Sequence, residues 1–309
     1  TLVLRGEPVR VAENVGYSRI LNRGDFSTAA GGLLAYRPAS SDVVQLVWYD
    51  RKGQEIGTLG DEGRYRQPRL SADDKQVAVE RFVPDPTDVW TLDTVRGVAS
   101  RLTIDPTFDG FPVWSPDGSR IAFYSERGAS DSLWVRASNG AGGDQRLFTG
   151  SGALFPNDWS RSGRHLLYSA VDLKSLKADL WLLPLEGDGK PIPFAHSPFD
   201  EIQARFSPSE RWIAYASDET GSLEVFVQNS PAASDMPPLK LQISRNGGSQ
   251  PLWRRDGREL FYRTAKGVMA VDVSDQRTFA AGLTSNTPSP ATASDFSSTP
   301  SGAKGNRCR

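Results

Sequence analysis

The sequence predicts an all-β fold, a β-propeller of four-stranded antiparallel blades, from three observations. The first is a motif that keeps returning. FPVWSPDGSRIAFY (111–124) is echoed by QPRLSADDKQVAV (67–79), FPNDWSRSGRHLLY (155–168), QARFSPSERWIAY (203–215) and QPLWRRDGRELFY (250–262). A degenerate copy, FSTAAGGLLAY, stands at 26–36. Aligned on the motif serine, the copies fall at Ser27, Ser71, Ser115, Ser160, Ser207 and Arg254, at intervals of 44, 44, 45, 47 and 47 residues. A period of this length belongs to repeat architectures. The second observation is the turn inside the motif. Pro116 presets φ and Gly118 accepts a positive φ, so two apolar strands flank a tight Asp-Gly turn. The third is a pair of further strands after each hairpin, an aromatic-bearing third strand and a more polar fourth. Four strands per repeat make a propeller blade, whereas the strands of a β-sandwich carry no such long period.

Taken in order, residues 1–13 (TLVLRGEPVRVAE) alternate like an edge strand and read as the outer strand of a preceding or closing blade. Residues 14–24 are loop-like. The propeller occupies 25–282, with six legible blades starting near 25, 67, 111, 155, 203 and 250, a count that suits a whole ring or part of a seven- or eight-bladed one. Third strands read QLVWYD (45–50), TDVWTLD (87–93), DSLWVRA (131–137), ADLWLLPL (178–185), SLEVFVQN (222–229) and GVMAVDV (267–273). Their aromatic lies 19 residues after the motif serine at Trp90, Trp134 and Phe226, and 21 after at Trp48 and Trp181. Seven of the eight tryptophans thus sit at recurring strand positions, which predicts packing between blades rather than an aromatic cage. From 283 to 309 strand patterning gives way to Ser, Thr, Pro, Ala and Gly, the composition of a disordered tail. A frameshift is the other reading. From the third base of the Thr284 codon, codon degeneracy permits a segment containing SRDGQRFLV, one more copy of the motif.

Composition narrows the partners. Thirty-six Lys and Arg nearly balance 37 Asp and Glu, with no long block of either sign. Neither nucleic acid nor an anionic membrane surface is implied. No apolar run reaches the length of a membrane span, so no membrane insertion by this chain is expected. The single cysteine, Cys308, supports neither a disulfide framework nor a cysteine metal site.

Catalytic groups are scarce. His165 and His196 are the only histidines, lack metal-site spacing, and read as a strand-edge residue and a loop residue. There is no Gly-x-Ser-x-Gly elbow, phosphate-binding Gly-rich loop, His-Arg-Asp or Asp-Phe-Gly. The motif serines recur once per blade, which marks them as turn-capping hydroxyls. No enzyme activity and no cofactor is expected of this chain. Loops between blades share one face of the ring and carry aromatics beside acids: Tyr65, Phe108, Asp109, Phe199, Asp200 and Glu201. Loops on a rigid scaffold are where binding concentrates, and aromatics suit interfaces. This face is the expected site for a protein, peptide or small-molecule ligand.

WSPDGSRIAFYS resembles the TolB-like, WD-type propeller repeat of bacteria. LVWYDRKGQEIGTLG (46–60), FSPSERWIAYASDETGSLEVFVQ (206–228) and GGSQPLWRRDGRELFY (247–262) resemble the C-terminal propeller of acidobacterial-type transmembrane serine/threonine kinases. The likeness runs from residue 1 to about 282. It implies an extracytoplasmic sensor or interaction module joined through a membrane helix to a kinase domain that this chain does not contain. Two rivals share the fold: the substrate-filtering propeller of prolyl-oligopeptidase-like peptidases, and a TolB-like envelope scaffold.

Overall fold

The structure, a computed structural model, describes residues 43–82, 86–128, 131–232 and 238–273, and the backbone of five strands between residues 5 and 36. Every regular element among them is a strand. β1 is Arg5–Ala12, and β2 (Tyr17–Ser18) pairs with β3 (Arg23–Gly24). Five sheets follow, each built from four consecutive antiparallel strands. The first comprises β4 (Phe26–Thr28), β5 (Leu34–Tyr36), β6 (Val44–Tyr49) and β7 (Glu55–Gly63). The second comprises β8 (Tyr65–Leu70), β9 (Gln76–Phe82), β10 (Thr87–Asp93) and β11 (Ala99–Arg101). The third comprises β12 (Asp109–Trp114), β13 (Arg120–Ser125), β14 (Ser132–Ala137) and β15 (Gln145–Thr149). The fourth comprises β16 (Ala153–Trp159), β17 (His165–Val171), β18 (Ala178–Pro184) and β19 (Ile192–Ala195). The fifth comprises β20 (Glu201–Phe206), β21 (Trp212–Ser217), β22 (Glu224–Asn229) and β23 (Lys240–Gln242).

The repeat that starts near 250 differs. It supplies three strands, β24 (Ser249–Trp253), β25 (Glu259–Thr264) and β26 (Gly267–Asp272). The fourth strand of that sheet is β1, antiparallel to β26, with Arg5 opposite Asp272 and Ala12 opposite Val268. Five blades of consecutive strands therefore stand where the sequence suggested six. The physical reason is the open ladder of β26, which β1 covers. The expected tail, 283–309, lies outside the described residues, as do 274–282.

The core sits between blades rather than within them. Ala78, Val89 and Leu102 of the second blade pack with Trp114, Ile121 and Phe123 of the third. Val113 and Leu133 of the third meet Leu154, Trp159 and Tyr168 of the fourth. Leu167 and Leu182 of the fourth meet Phe206 and Tyr215 of the fifth. Trp212 and Val227 of the fifth meet Trp253 and Tyr262 beyond. Strand alternation explains the sorting, since Leu166 and Leu167 point to opposite faces of one sheet and join different clusters.

The motif hairpin is fastened by its serine. Ser115 Oγ donates to Asp117 Oδ1 at 2.5 Å and accepts the Arg120 amide at 2.9 Å, while the Gly118 amide donates to the Ser115 carbonyl. Ser71, Ser160 and Ser207 likewise accept the amides of Gln76, His165 and Trp212. Gly118, Gly163 and Gly257 take the left-handed turn position at φ between 70° and 78°; Asp74 and Glu210 hold it without glycine.

Four first strands share an unforeseen device. Gln67, Phe111, Gln203 and Gln250 have φ between 53° and 62°, and a register shift lies at each. These are β-bulges that turn one amide out of the ladder. The freed Phe111 amide donates to Glu80 Oε1 of the preceding blade at 2.8 Å, and the Gln250 amide to Gln203 Oε1 at 2.7 Å. Blades are thus laced together by backbone amides as well as by apolar contact.

Two substitutions test these assignments. Trp114, 8% exposed with its indole N–H on the Arg69 carbonyl at 2.8 Å, should cost about 3–5 kcal/mol as Trp114→Ala. An unchanged denaturation midpoint would remove it from the core. Gly118→Ala meets no atom within 4 Å at φ +70°, so only the left-handed backbone should register. We expect a loss of about 1 kcal/mol in chemical denaturation.

Candidate functional site

The six residues singled out on the loop face go to different places. Tyr65 is 2% exposed and belongs to the core between the first two blades. Burial pushes its phenol up. Asp109 opens β12 and is fully buried, with Arg127 Nη2 at 2.6 Å from its Oδ2. Arg127 also reaches Asp105 and Asp144 and lies 4.7 Å from the Trp134 ring centroid. Glu201 holds the equivalent place at the start of β20, buried and accepting a hydrogen bond from Ser197 Oγ. Asp200 braces the loops of the fourth and fifth blades: its Oδ1 accepts the Ala178 amide at 3.1 Å, and its own amide donates to Asp218. Lys177 Nζ stands 3.3 Å from both Asp200 and Asp218. Phe199 is exposed.

Phe108 lines a cavity. That cavity, about 550 Å³, opens on the loop face between the second, third and fourth blades. Its aromatic wall is continuous. Phe111 lies 4.4 Å from Phe155 between ring centroids, Tyr124 meets Phe155 edge-on at 5.1 Å, and Phe108 lies 5.9 Å from Tyr124. These are favourable offset and edge geometries. Tyr124 donates its hydroxyl to Asp131 at 2.8 Å, and burial with the acids beside it raises its pKa. Across the cavity Arg66 stacks 4.5 Å from the Phe82 centroid, and Glu126 and Glu80 complete the polar rim.

Arg66, Phe111 and Phe155 sit in loop segments legible in the sequence, but Phe82 and Tyr124 do not. They lie at or beside the ends of β9 and β13. A strand ending in an aromatic, as at ERF (80–82) and AFY (122–124), was the available signal.

The histidines are apart. His165 is half-buried at the start of β17, where burial lowers its pKa. His196 Nδ1 lies 2.7 Å from Asp179 Oδ2, its ring edge toward Trp181. Among the described residues no group of three His, Cys, Asp or Glu is placed to hold a metal ion. No helix among them is long and apolar enough to cross a membrane.

Fold and cavity together define a β-propeller with a concave aromatic pocket on its loop face. The architecture is that of TolB-like propellers. The chain superposes on TolB from Acinetobacter baumannii with a TM-score of 0.63 at 16% identity, covering 79% of this chain and 64% of that protein. A TolB-type protein from Agrobacterium tumefaciens gives 0.58 at 17% identity, covering 82% and 90%. A prolyl endopeptidase gives 0.52 at 15% identity, covering 81% of this chain and 42% of that one. This chain thus spans under two thirds of the first and less than half of the last. No family model matches the sequence.

Asp109 gives this face a pH signature. Burial raises its pKa from 3.8 to about 6, outweighing the hydrogen bond from Ser125 and the pull of Arg127. The folded state therefore holds this proton more tightly than the unfolded chain, and the group's contribution to stability falls as pH rises from about 4 to 6. Asp109→Asn cannot titrate. Its stability relative to wild type should therefore improve across that window, by up to about 3 kcal/mol. Denaturant curves at several pH values measure this, and a difference that stays flat would contradict it.

Proposed function

We propose that this propeller is a non-catalytic binding module that takes a protein, peptide or small-molecule ligand on its loop face. The observation that carries the reading is the aromatic pocket walled by Phe108, Phe111, Tyr124 and Phe155, with Arg66 opposite Glu126 and Asp131. A concave, mostly apolar pocket with a few converging polar groups is the usual form of a binding site. Tyr, Phe and Arg are residues that interfaces favour. The sequence resemblance at 46–60, 206–228 and 247–262 supports a setting for it: the extracytoplasmic sensor of a receptor-like serine/threonine kinase.

Two experiments test the reading. Peptide-display libraries panned against the protein should yield ligands that Phe155→Ala and Arg66→Gln bind at least about tenfold more weakly. Ligands indifferent to both variants would place binding elsewhere. For the setting, the gene flanking this reading frame should encode a membrane helix and a kinase Asp-Phe-Gly upstream. A Gly-x-Ser-x-Gly hydrolase there would instead make the ring a peptidase's substrate filter, and a signal peptide alone would favour an envelope scaffold.

A further inference from the structure

A second cavity, about 330 Å³, lies at the other end of the first strands, where the motif turns converge on the ring axis. One position recurs around its wall, the residue two before the motif serine. In successive blades it is Arg69, Val113, Asp158 and Arg205, then Leu252 where Arg254 replaces the serine. Trp114, Trp159, Trp253 and Phe206 supply apolar surface between them, and Arg161 and Arg255 stand near the turns.

Arg205 is the unusual member. It is 8% exposed, yet its guanidinium makes one long hydrogen bond, Nη1 to the Ala204 carbonyl at 3.4 Å, and no direct salt bridge with any described residue, the Asp158 carboxylate acting on it only at longer range. Buried guanidinium groups ordinarily spend their five donors on carboxylates or carbonyls, because desolvating an unpaired charge is costly. The other charged groups are differently placed. Arg255 is committed, with its guanidinium on the Asp74 carboxylate at 2.5 Å and on the Ser71 and Ala72 carbonyls at 2.6 and 2.8 Å. Asp158 accepts the Phe206 amide at 2.8 Å, and burial raises its pKa against the pull of Arg205 and Arg69. Arg161 is exposed and forms no ion pair among the described residues.

We propose that this end of the channel is a second binding site, which takes the carboxylate of a peptide ligand on Arg205 and seats the adjoining apolar side chain against the tryptophans. A planar guanidinium with unused donors matches a carboxylate in bidentate geometry. The tryptophan walls favour an apolar group beside that charge. Asp158 reduces the positive surplus, so a monoanion suits the cavity better than a dianionic phosphate. The site is independent of the loop-face pocket and separated from it by the length of the first strands.

Tryptophan fluorescence of the full chain, titrated with N-acetyl-leucine and with N-acetyl-leucinamide, tests the assignment. The carboxylate should quench and bind at least about tenfold more tightly than the amide, the margin of a charge-assisted hydrogen-bond pair. N-acetyl-aspartamide, whose only carboxylate is in the side chain, tells an acidic side chain from a chain end; binding of either carboxylate supports the proposal. Arg205→Met should erase the preference and Arg205→Lys should keep part of it. If Arg205→Met does not fold, Arg161→Gln, at the exposed rim, should still weaken carboxylate binding and its salt dependence. Equal binding of acid and amide, no binding of any carboxylate, or tighter binding of inorganic phosphate would each overturn the assignment.

Discussion

Everything in this ring depends on contact between neighbouring blades. A four-stranded sheet of short strands has two faces to cover and cannot cover either alone. Each described apolar cluster accordingly straddles two blades. Polar links fall on the same seams. Indole N–H groups of Trp114 and Trp253 donate to the Arg69 and Arg205 carbonyls one blade back, at 2.8 and 3.2 Å. Burying an indole without a partner would cost free energy, so these bonds fix the tilt of one blade on the next as well as its distance. Arg255 spans further, from the last motif turn to that of the second blade.

The two cavities are outcomes of that seam geometry. On the loop face the bulge at Phe111 turns its ring toward Phe155 of the next blade while its amide holds Glu80 of the previous one. Three blades therefore meet in a single aromatic wall. At the turn end the first strands converge, and whatever stands two residues before the motif serine faces the axis. Packing sets the position, and the residue that fills it is free to carry charge.

Much of this was legible in the sequence because the repeat writes it many times over. The period, the Asp-Gly turn at Asp117-Gly118 and the capping serines are local, so one hairpin read correctly gives the others. Burial of charged loop-edge residues was not legible. Asp109 and Glu201 sit beside aromatics in polar segments, yet β12 and β20 begin at them and carry them inside, where Arg127 and Ser197 receive them. The left-handed residues were hidden for a different reason. Glutamine and phenylalanine give no glycine-like warning, and the conformation is imposed by the neighbouring blade. The recurring glutamine four residues before the motif serine, at Gln67 and Gln203, was the visible trace.

The pairing of β1 with β26 brings together Arg5 and Asp272, residues 267 positions apart. A ribosome making this protein must deliver nearly all of the ring before that ladder can form. Hairpins such as β12–β13 have no such wait. Closing the long loop costs about 2 kcal/mol more in chain entropy than closing a segment a tenth as long. The last blade is thus the slowest to be completed, and until then the outer edge of β26 is an unpaired strand open to other chains. Yield from refolding or expression should be governed by how long that edge stays uncovered more than by the stability of any blade.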